Sequence, residues 1–267
     1  MTAGQPISVN GVAALGRPLA DELAIYREAG AELIGLPAGK LEQIGWATAL
    51  DEVRASGLTV AYLFMPLTCH PSDDAGWAAQ ARTLAAALDA AAALGAGTLY
   101  LTSGPSGELS WEEAADSLAE RLAPAIGRAA RLGVALAVEN TMSIRGDLSF
   151  THTLQDAAAL ARRLDIGLCV DLYCCWQERG LVDTLRAELD RVRLVQVSDF
   201  RLGTLSLPNR WVPGDGDIPL ERLLRQLTGL GYHGLLDLEL LGPAIEAEGT
   251  PQALARAVRW LTSRLGR

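Results

Sequence analysis

The sequence predicts a (β/α)8 TIM barrel built as one domain over residues 1–267, and three observations carry that expectation. Eight short apolar runs that stop at Gly, Pro, Asn or Asp alternate with eight stretches of helical periodicity. The repeat averages about 33 residues, the length of one strand with its crossover helix. No G-x-G-x-x-G follows the first run, where Asn10-Gly11-Val12 stands instead, which argues against an open doubly wound sheet.

The runs place strands over 7–9, 32–36, 58–65, 98–102, 134–139, 167–171, 193–197 and 234–239. Between them, Ala-, Leu-, Glu- and Arg-rich segments with a 3.6-residue period predict helices over 19–29, 41–55, 75–94, 111–132, 154–164, 181–191, 220–230 and 251–265. Gly30, Gly57, Gly95, Gly133 and Gly231 stand where helix ends are expected, as left-handed caps require.

Composition narrows the function. With 49% hydrophobic and 21% charged residues and no low-complexity run, disorder and fibrous structure are excluded. Lys plus Arg is 23 against 32 for Asp plus Glu, a net charge of −9 that repels polyanions and argues against a nucleic-acid partner. The cysteines, Cys69, Cys169, Cys174 and Cys175, match neither a zinc knuckle nor a disulfide framework, so reduced thiols are expected. The opening MTAGQPISVNG lacks the marks of a secretory leader, and the apolar stretch 84–94 is too short to span a bilayer. A cytoplasmic protein with no membrane partner is the expectation. The only lysine, Lys40, falls at an early helix start and offers no Schiff-base site.

In a barrel of this kind chemistry sits where the strands end. Polar residues ending apolar runs are Glu139 and Asn140 in VALAVEN, Asp171 in GLCVD, Gln196 and Asp199 in RLVQVSD, and Glu239 in GLLDLEL. Asp199 reads equally well as a loop or capping residue. Glu139, Asp171 and Glu239 converge on one mouth, where three buried acids repel unless a cation joins them. Oxygen donors suit Mg²⁺ or Mn²⁺, with Co²⁺, Zn²⁺ or Fe²⁺ as alternatives. His70 ends the third run and is a candidate proton-transfer or substrate contact. His152 lies near the start of the helix after the fifth strand, and His233 precedes the eighth strand at the opposite face. Trp111, Trp176 and Trp211 follow strands on the mouth side, where aromatic walls suit a cyclic or partly apolar substrate.

VEN at 138–140, VD at 170–171, VQVSD at 195–199, NRWVPGDGDI at 209–218 and GYHGLLDLE at 231–239 resemble the xylose-isomerase-like TIM barrels grouped as sugar phosphate isomerases/epimerases, over nearly the whole chain. The resemblance implies a divalent-metal site on Glu139, Asp171, Gln196 and Glu239, where the family commonly has Glu, Asp, His and Glu. Gln196 departs from that pattern and is similar to what some dehydroshikimate dehydratases use. Cys174 stands where the family has a second histidine. The resemblance further implies substrate contacts from Arg201 or Arg210 and at the position of Cys174, and raises the expectation of a homodimer; Asn140, Trp176 and Trp211 are substrate candidates by their places at and after strand ends.

The reaction so implied is abstraction of a proton next to a carbonyl by Glu139 or Glu239, acting on a polyhydroxy or cyclic ketone through an enediolate. Return of the proton gives epimerisation or aldose–ketose isomerisation. Loss of a β-hydroxyl gives a dehydratase of the 3-dehydroshikimate or inosose type. A metal-free binding barrel is the other alternative, suggested by Gln196 and Cys174. Phosphodiester cleavage like that of endonuclease IV is argued against by three histidines and the net charge of −9.

Overall fold

Among the residues described by the computed structural model, 5–265, eight parallel strands close into a barrel in chain order. They are β1 (Ile7–Asn10), β2 (Leu33–Pro37), β3 (Thr59–Met65), β4 (Thr98–Leu101), β5 (Ala135–Glu139), β6 (Gly167–Asp171), β7 (Val192–Val197) and β8 (Leu235–Leu238). β1 pairs with both β2 and β8, so no edge remains. The family-sized repeat read from the sequence is therefore one closed architecture.

Most helices fall where periodicity predicts them. Leu154–Leu164 matches the expected range and opens on a capping box, the Thr153 side chain accepting from the Asp156 backbone and Asp156 answering it. Trp111–Leu132 also matches, starting at a Ser110–Glu113 capping box and ending at Gly133, whose φ of 69° is the left-handed conformation that a β-carbon disfavours. The expected helix over 41–55 is two, Ala38–Ile44 and Trp46–Ser56, because Gly45 at φ 96° breaks the ladder between them. The last turn expected over 181–191 tightens into a 3-10 turn, Leu189–Arg191. A short helix, Pro243–Glu248, precedes the final one, Thr250–Arg264. No helix among the described residues is long and apolar enough to cross a membrane.

Side chains alternate across each strand, and this splits the interior into two cores. The large one lies between strands and helices and holds Val9, Leu36, Leu63, Leu99, Val138, Val170, Val195 and Leu238. Inside the barrel Tyr62, Tyr100, Ala137, Cys169 and Leu194 pack as a separate small core. Two residues further along the same inward faces come Glu139, Asp171 and Gln196. Each polar site residue is thus the next inward position above a layer of apolar packing.

Candidate functional site

Glu139 ends β5, Asp171 ends β6, and Glu239 directly follows β8. All three are buried, and one carboxylate oxygen of each lies within 4.8 Å of the others. They face a cavity of about 310 Å³, near the lower end of the roughly 300–1,000 Å³ range of small-molecule sites. Its walls include Thr102, Arg145, Tyr173, Cys174, Arg210 and an apolar side made by Met142, Leu207 and Leu241.

Asp171 is the best-partnered member. Its Oδ1 accepts from the Tyr173 backbone at 3.0 Å and from Arg210 Nη1 at 3.2 Å, while Oδ2 accepts from Arg210 Nη2 at 2.7 Å and from Cys174 Sγ at 2.8 Å. Arg210 is held in turn by Ser198 Oγ at 2.9 Å and lies over the Tyr173 ring, 4.4 Å from its centroid. The same Nη2 is 3.2 Å from Glu239 Oε2, an ion-pair contact that lacks hydrogen-bond geometry and leaves that oxygen without a donor. No described group donates to the Glu139 carboxylate. Gln196 Nε2 donates to the Tyr100 hydroxyl at 3.1 Å, and its Oε1 is buried without a partner.

The electrostatics follow from these contacts. Burial, then the charges of Glu239 and Asp171, pushes the Glu139 carboxyl well up. Burial lifts Glu239 to about 8, against the pull of Arg210 and with Asp171 adding to the rise. Burial opposes the Arg210 charge, yet Asp171 and Glu239 raise its already high pKa further. Burial and the neighbouring Asp171 also push the Cys174 thiol up, so it sits as a neutral donor.

The donor set fits a divalent cation. Three carboxylates and one guanidinium sum to −3 + 1 = −2 when all are ionised, the charge that one such ion neutralises. Glu239 Oε2 and Gln196 Oε1 are buried oxygens with no protein donor, as ligand atoms awaiting a cation are. Glu139, Asp171 and Glu239 bring carboxylate oxygens close enough together to hold one, and Gln196 is the register partner of Asp171 on β7.

Of the seven residues expected to touch substrate, Cys174 and Arg210 line the cavity, and five do not. Asn140 is buried between strands, its Nδ2 donating to the Asp171 carbonyl and its Oδ1 accepting from the Asp171 backbone, so it fixes the strand end. His70 is exposed on the loop after β3, paired with Ser72. Trp176 is half-buried against the outer core. Arg201 is exposed, stacked 3.8 Å from the Trp211 centroid and bonded to the Asp215 carbonyl, so these two brace one another on the loop after β7. Asp199 organises the same loop, accepting from the backbones of Phe200, Gly214 and Ile218. Gly216 packs so closely there that a β-carbon would meet Asp199 Oδ1 at 2.4 Å. His152 lies outside the cavity walls, and His233 is exposed before β8, as expected.

Sequence reasoning missed Tyr173, beside Asp171, and Asp237, two residues before Glu239 on the same inward face. Asp237 is fully buried, accepting from Ser8 Oγ at 2.6 Å and Asn10 Nδ2 at 3.1 Å, and burial raises it to about 6. Its period-two spacing from Glu239 was the available signal.

With this geometry in hand, the family is plain. The profile of the xylose isomerase-like TIM barrels matches residues 23–264, and the chain belongs to that family. Among solved structures it is similar to a xylose isomerase domain protein from Alicyclobacillus acidocaldarius, with 26% identity, a TM-score of 0.76 and 98% of each chain covered. It is also similar to the 3-keto-D-glucoside 4-epimerase YcjR from E. coli, with 18% identity, a TM-score of 0.77 and coverage of 97% of this chain and 99% of that one. The IOLI protein, solved with a bound zinc atom, gives 18% identity, a TM-score of 0.78 and 98% coverage of both chains. No curated protein sequence matches.

Proposed function

We propose that this chain is a divalent-metal-dependent isomerase or epimerase of a small hydroxy-ketone, a sugar or a cyclitol-like ring. The observation that carries the reading is the inward cluster of Glu139, Asp171 and Glu239, in which the buried Oε2 of Glu239 has no hydrogen-bond donor. The family, together with an epimerase and a zinc-bound protein of the same fold, supports it.

A divalent cation held by Glu139, Asp171, Gln196 and Glu239 would supply Lewis-acid polarisation of the substrate carbonyl and keep the surrounding carboxylates ionised. All-oxygen coordination favours Mg²⁺ or Mn²⁺, with Co²⁺, Zn²⁺ and Fe²⁺ to be compared. Glu139 and Glu239 are the proton-transfer residues: they stand on different strands across the mouth, so one takes the proton next to the carbonyl and either can return it. Return to the opposite face inverts the carbon, and return to the neighbouring carbon moves the carbonyl. Arg210 acts as a brace, holding Asp171 through two hydrogen bonds so that the cluster does not fly apart. Cys174 contributes a neutral donor to the same oxygen. The cavity size confines the substrate to one ring or a short chain.

A dehydratase reading draws on Gln196 in the third ligand position and differs only in the fate of the intermediate. The two readings separate by product.

The test begins with metal content of protein purified without chelator, by inductively coupled plasma mass spectrometry, beside Glu239→Gln. About one divalent ion per chain, lost in the variant, is expected. Incubation of the metal-loaded protein with ketoses, inososes and dehydroshikimate in D2O then reads deuterium incorporation next to the carbonyl. No ion in the wild-type chain, even after Mn²⁺ loading, overturns the metal reading and leaves a binding barrel.

A further inference from the structure

We infer that Tyr100 is a positioning residue that sets the amide of Gln196 so that its oxygen, and not its nitrogen, faces the carboxylate cluster. The inference rests on the metal reading above and concerns a residue that touches none of the three acids by hydrogen bond.

The starting point is an amide whose direction is fixed. Asn10 ends β1, and its Oδ1 accepts from the Val12 backbone at 3.1 Å. Its Nδ2 therefore points into the barrel, where it donates to Asp237 Oδ2 at 3.1 Å and to the Tyr100 hydroxyl at 3.3 Å. Asp237 holds this arrangement in place from the β8 side, its other oxygen being occupied by Ser8. Tyr100 cannot swing away: its ring stacks on Phe64 at 5.4 Å and an interplanar angle of 11°, and Tyr62 packs at 5.4 Å on the same ring.

A phenol oxygen has two lone pairs and one proton. Asn10 takes one lone pair, and Gln196 Nε2 takes the other at 3.1 Å. With its NH2 group so engaged, Gln196 is left presenting Oε1, buried and without a donor. That is the orientation a cation ligand needs. Nothing else among the described residues recommends it, since the opposite orientation would aim two N–H donors at a cluster of carboxylate oxygens. An amide is a less decisive ligand than imidazole because it can turn around. The Asn10–Tyr100 pair supplies the partner that makes the ligating orientation affordable in a buried site.

The experiment is a double-mutant cycle read by Mn²⁺ affinity, using isothermal titration calorimetry on the whole chain. Tyr100→Phe removes the acceptor and keeps the ring, and should lower Mn²⁺ affinity by about 10- to 100-fold, the usual range for a partner one step removed from the ligand. Gln196→Glu replaces the amide by a carboxylate whose two ends are equivalent, so orientation no longer matters. In that background Tyr100→Phe should change the affinity by no more than about twofold, as uncoupled substitutions do. Thermal melts in chelator accompany each variant. An unchanged affinity for Tyr100→Phe overturns the inference while leaving the metal site standing. An equal loss in both backgrounds also overturns it, because the effect would then come from packing or folding. A wild-type chain that takes up no Mn²⁺ overturns the metal reading and this inference together.

Discussion

Two sets of buried carboxylates in this barrel differ only in the company they keep. Glu22, in the first turn of the helix Leu19–Glu28 that follows β1, is completely buried. Its Oε1 accepts from the Tyr26 hydroxyl at 2.7 Å, and its Oε2 is paired with Lys40, whose ammonium also donates to the carbonyls of Arg17 at 2.7 Å and Leu15 at 3.2 Å. Every donor of that lysine is used. Burial still raises Glu22, but Lys40 and Tyr26 pull it back. Glu139 and Glu239 are also buried, yet Glu139 has no ion-pair partner, and Glu239 has only a contact to the arginine that Asp171 already holds, which leaves its Oε2 without a donor. A buried acid with full partners is a fastening. One left short of partners is aimed at something the chain itself does not contain.

The largest test of that contrast sets the two groups against each other. Glu139→Gln should lower turnover by about 10²- to 10⁴-fold, the usual contribution of a positioned proton-transfer group. The same change should leave the chelated protein as stable as wild type or more so, because it removes an unpaired buried charge. Lys40→Met should do the reverse: turnover stays within a few-fold, while stability falls by about 3–5 kcal/mol from stranding Glu22. Urea titrations beside initial rates check both. A destabilised Glu139→Gln with normal turnover would make the mouth cluster another fastening.

Arg210 tests the cluster from its cationic side. Arg210→Leu leaves Asp171, Glu139 and Glu239 with no counter-charge and should cost the chelated protein about 3 kcal/mol. Mn²⁺ at a hundredfold excess over the wild-type Kd should add about 2.7 kcal/mol to the wild type and more to the variant, whose uncompensated acids hold the ion more tightly, so the loss should shrink when metal is present. Equal losses with and without metal would show that Arg210 serves only the loop that carries it.

The acids of the mouth and those of the sequence pattern were not equally legible. Glu139, Asp171 and Glu239 stand out because a charge ending an apolar run must be explained, and the barrel predicts where such ends meet. Asp237 and Tyr100 stayed hidden inside LLDLEL and TLYL, where a single polar atom is outvoted by its apolar neighbours, although the period of two places Asp237 and Glu239 on one face. Trp176, Arg201 and Trp211, expected beside substrate, stand outside the cavity walls for the opposite reason. Position after a strand assigns a residue to the mouth end of the barrel, but not the direction of its side chain, and here loop packing took all three. The helix break at Gly45 was written in the sequence as a glycine within a helical period, and its φ of 96° is what ends the ladder.

A smaller effect follows from the direction of the carboxyl shifts. Glu239 is raised to about 8 from 4.5 and Asp237 to about 6 from 3.8, with burial the leading cause in both. A folded-state carboxyl with a raised value binds its proton more tightly than the unfolded chain does. Its contribution to stability is complete below the unfolded value and is lost as pH climbs through the folded one. The chelated protein should therefore lose stability between about pH 4 and pH 8, by a few kcal/mol, on the order of 1.4 kcal/mol per pH unit for each such group before relaxation around the charges. Glu239→Gln should flatten the upper half of that slope, and Glu22→Gln should not, being remote from it. Denaturation midpoints at five pH values distinguish them.

The smallest expected effect belongs to His70, and it decides how far round the barrel the site extends. Its imidazole is exposed, its Nδ1 meets Ser72 Oγ at 2.8 Å, and Gly107 lies so near the ring that a β-carbon there would come within 2.0 Å of Nε2. These contacts are local to two loops and reach no wall of the cavity. His70→Ala should change stability by less than about 0.5 kcal/mol, as surface substitutions do, and should leave Mn²⁺ affinity unaltered. Turnover should stay within about twofold for the same reason. A tenfold loss in kcat/KM with unchanged metal affinity would mean that the loop after β3 closes over bound substrate, so that the reacting molecule touches both halves of the barrel. Unchanged kinetics would confine the proton-transfer chemistry to β5–β8, the half in which Glu139, Asp171, Gln196 and Glu239 stand at successive strand ends, while the opposite half adds Thr102 to the cavity wall.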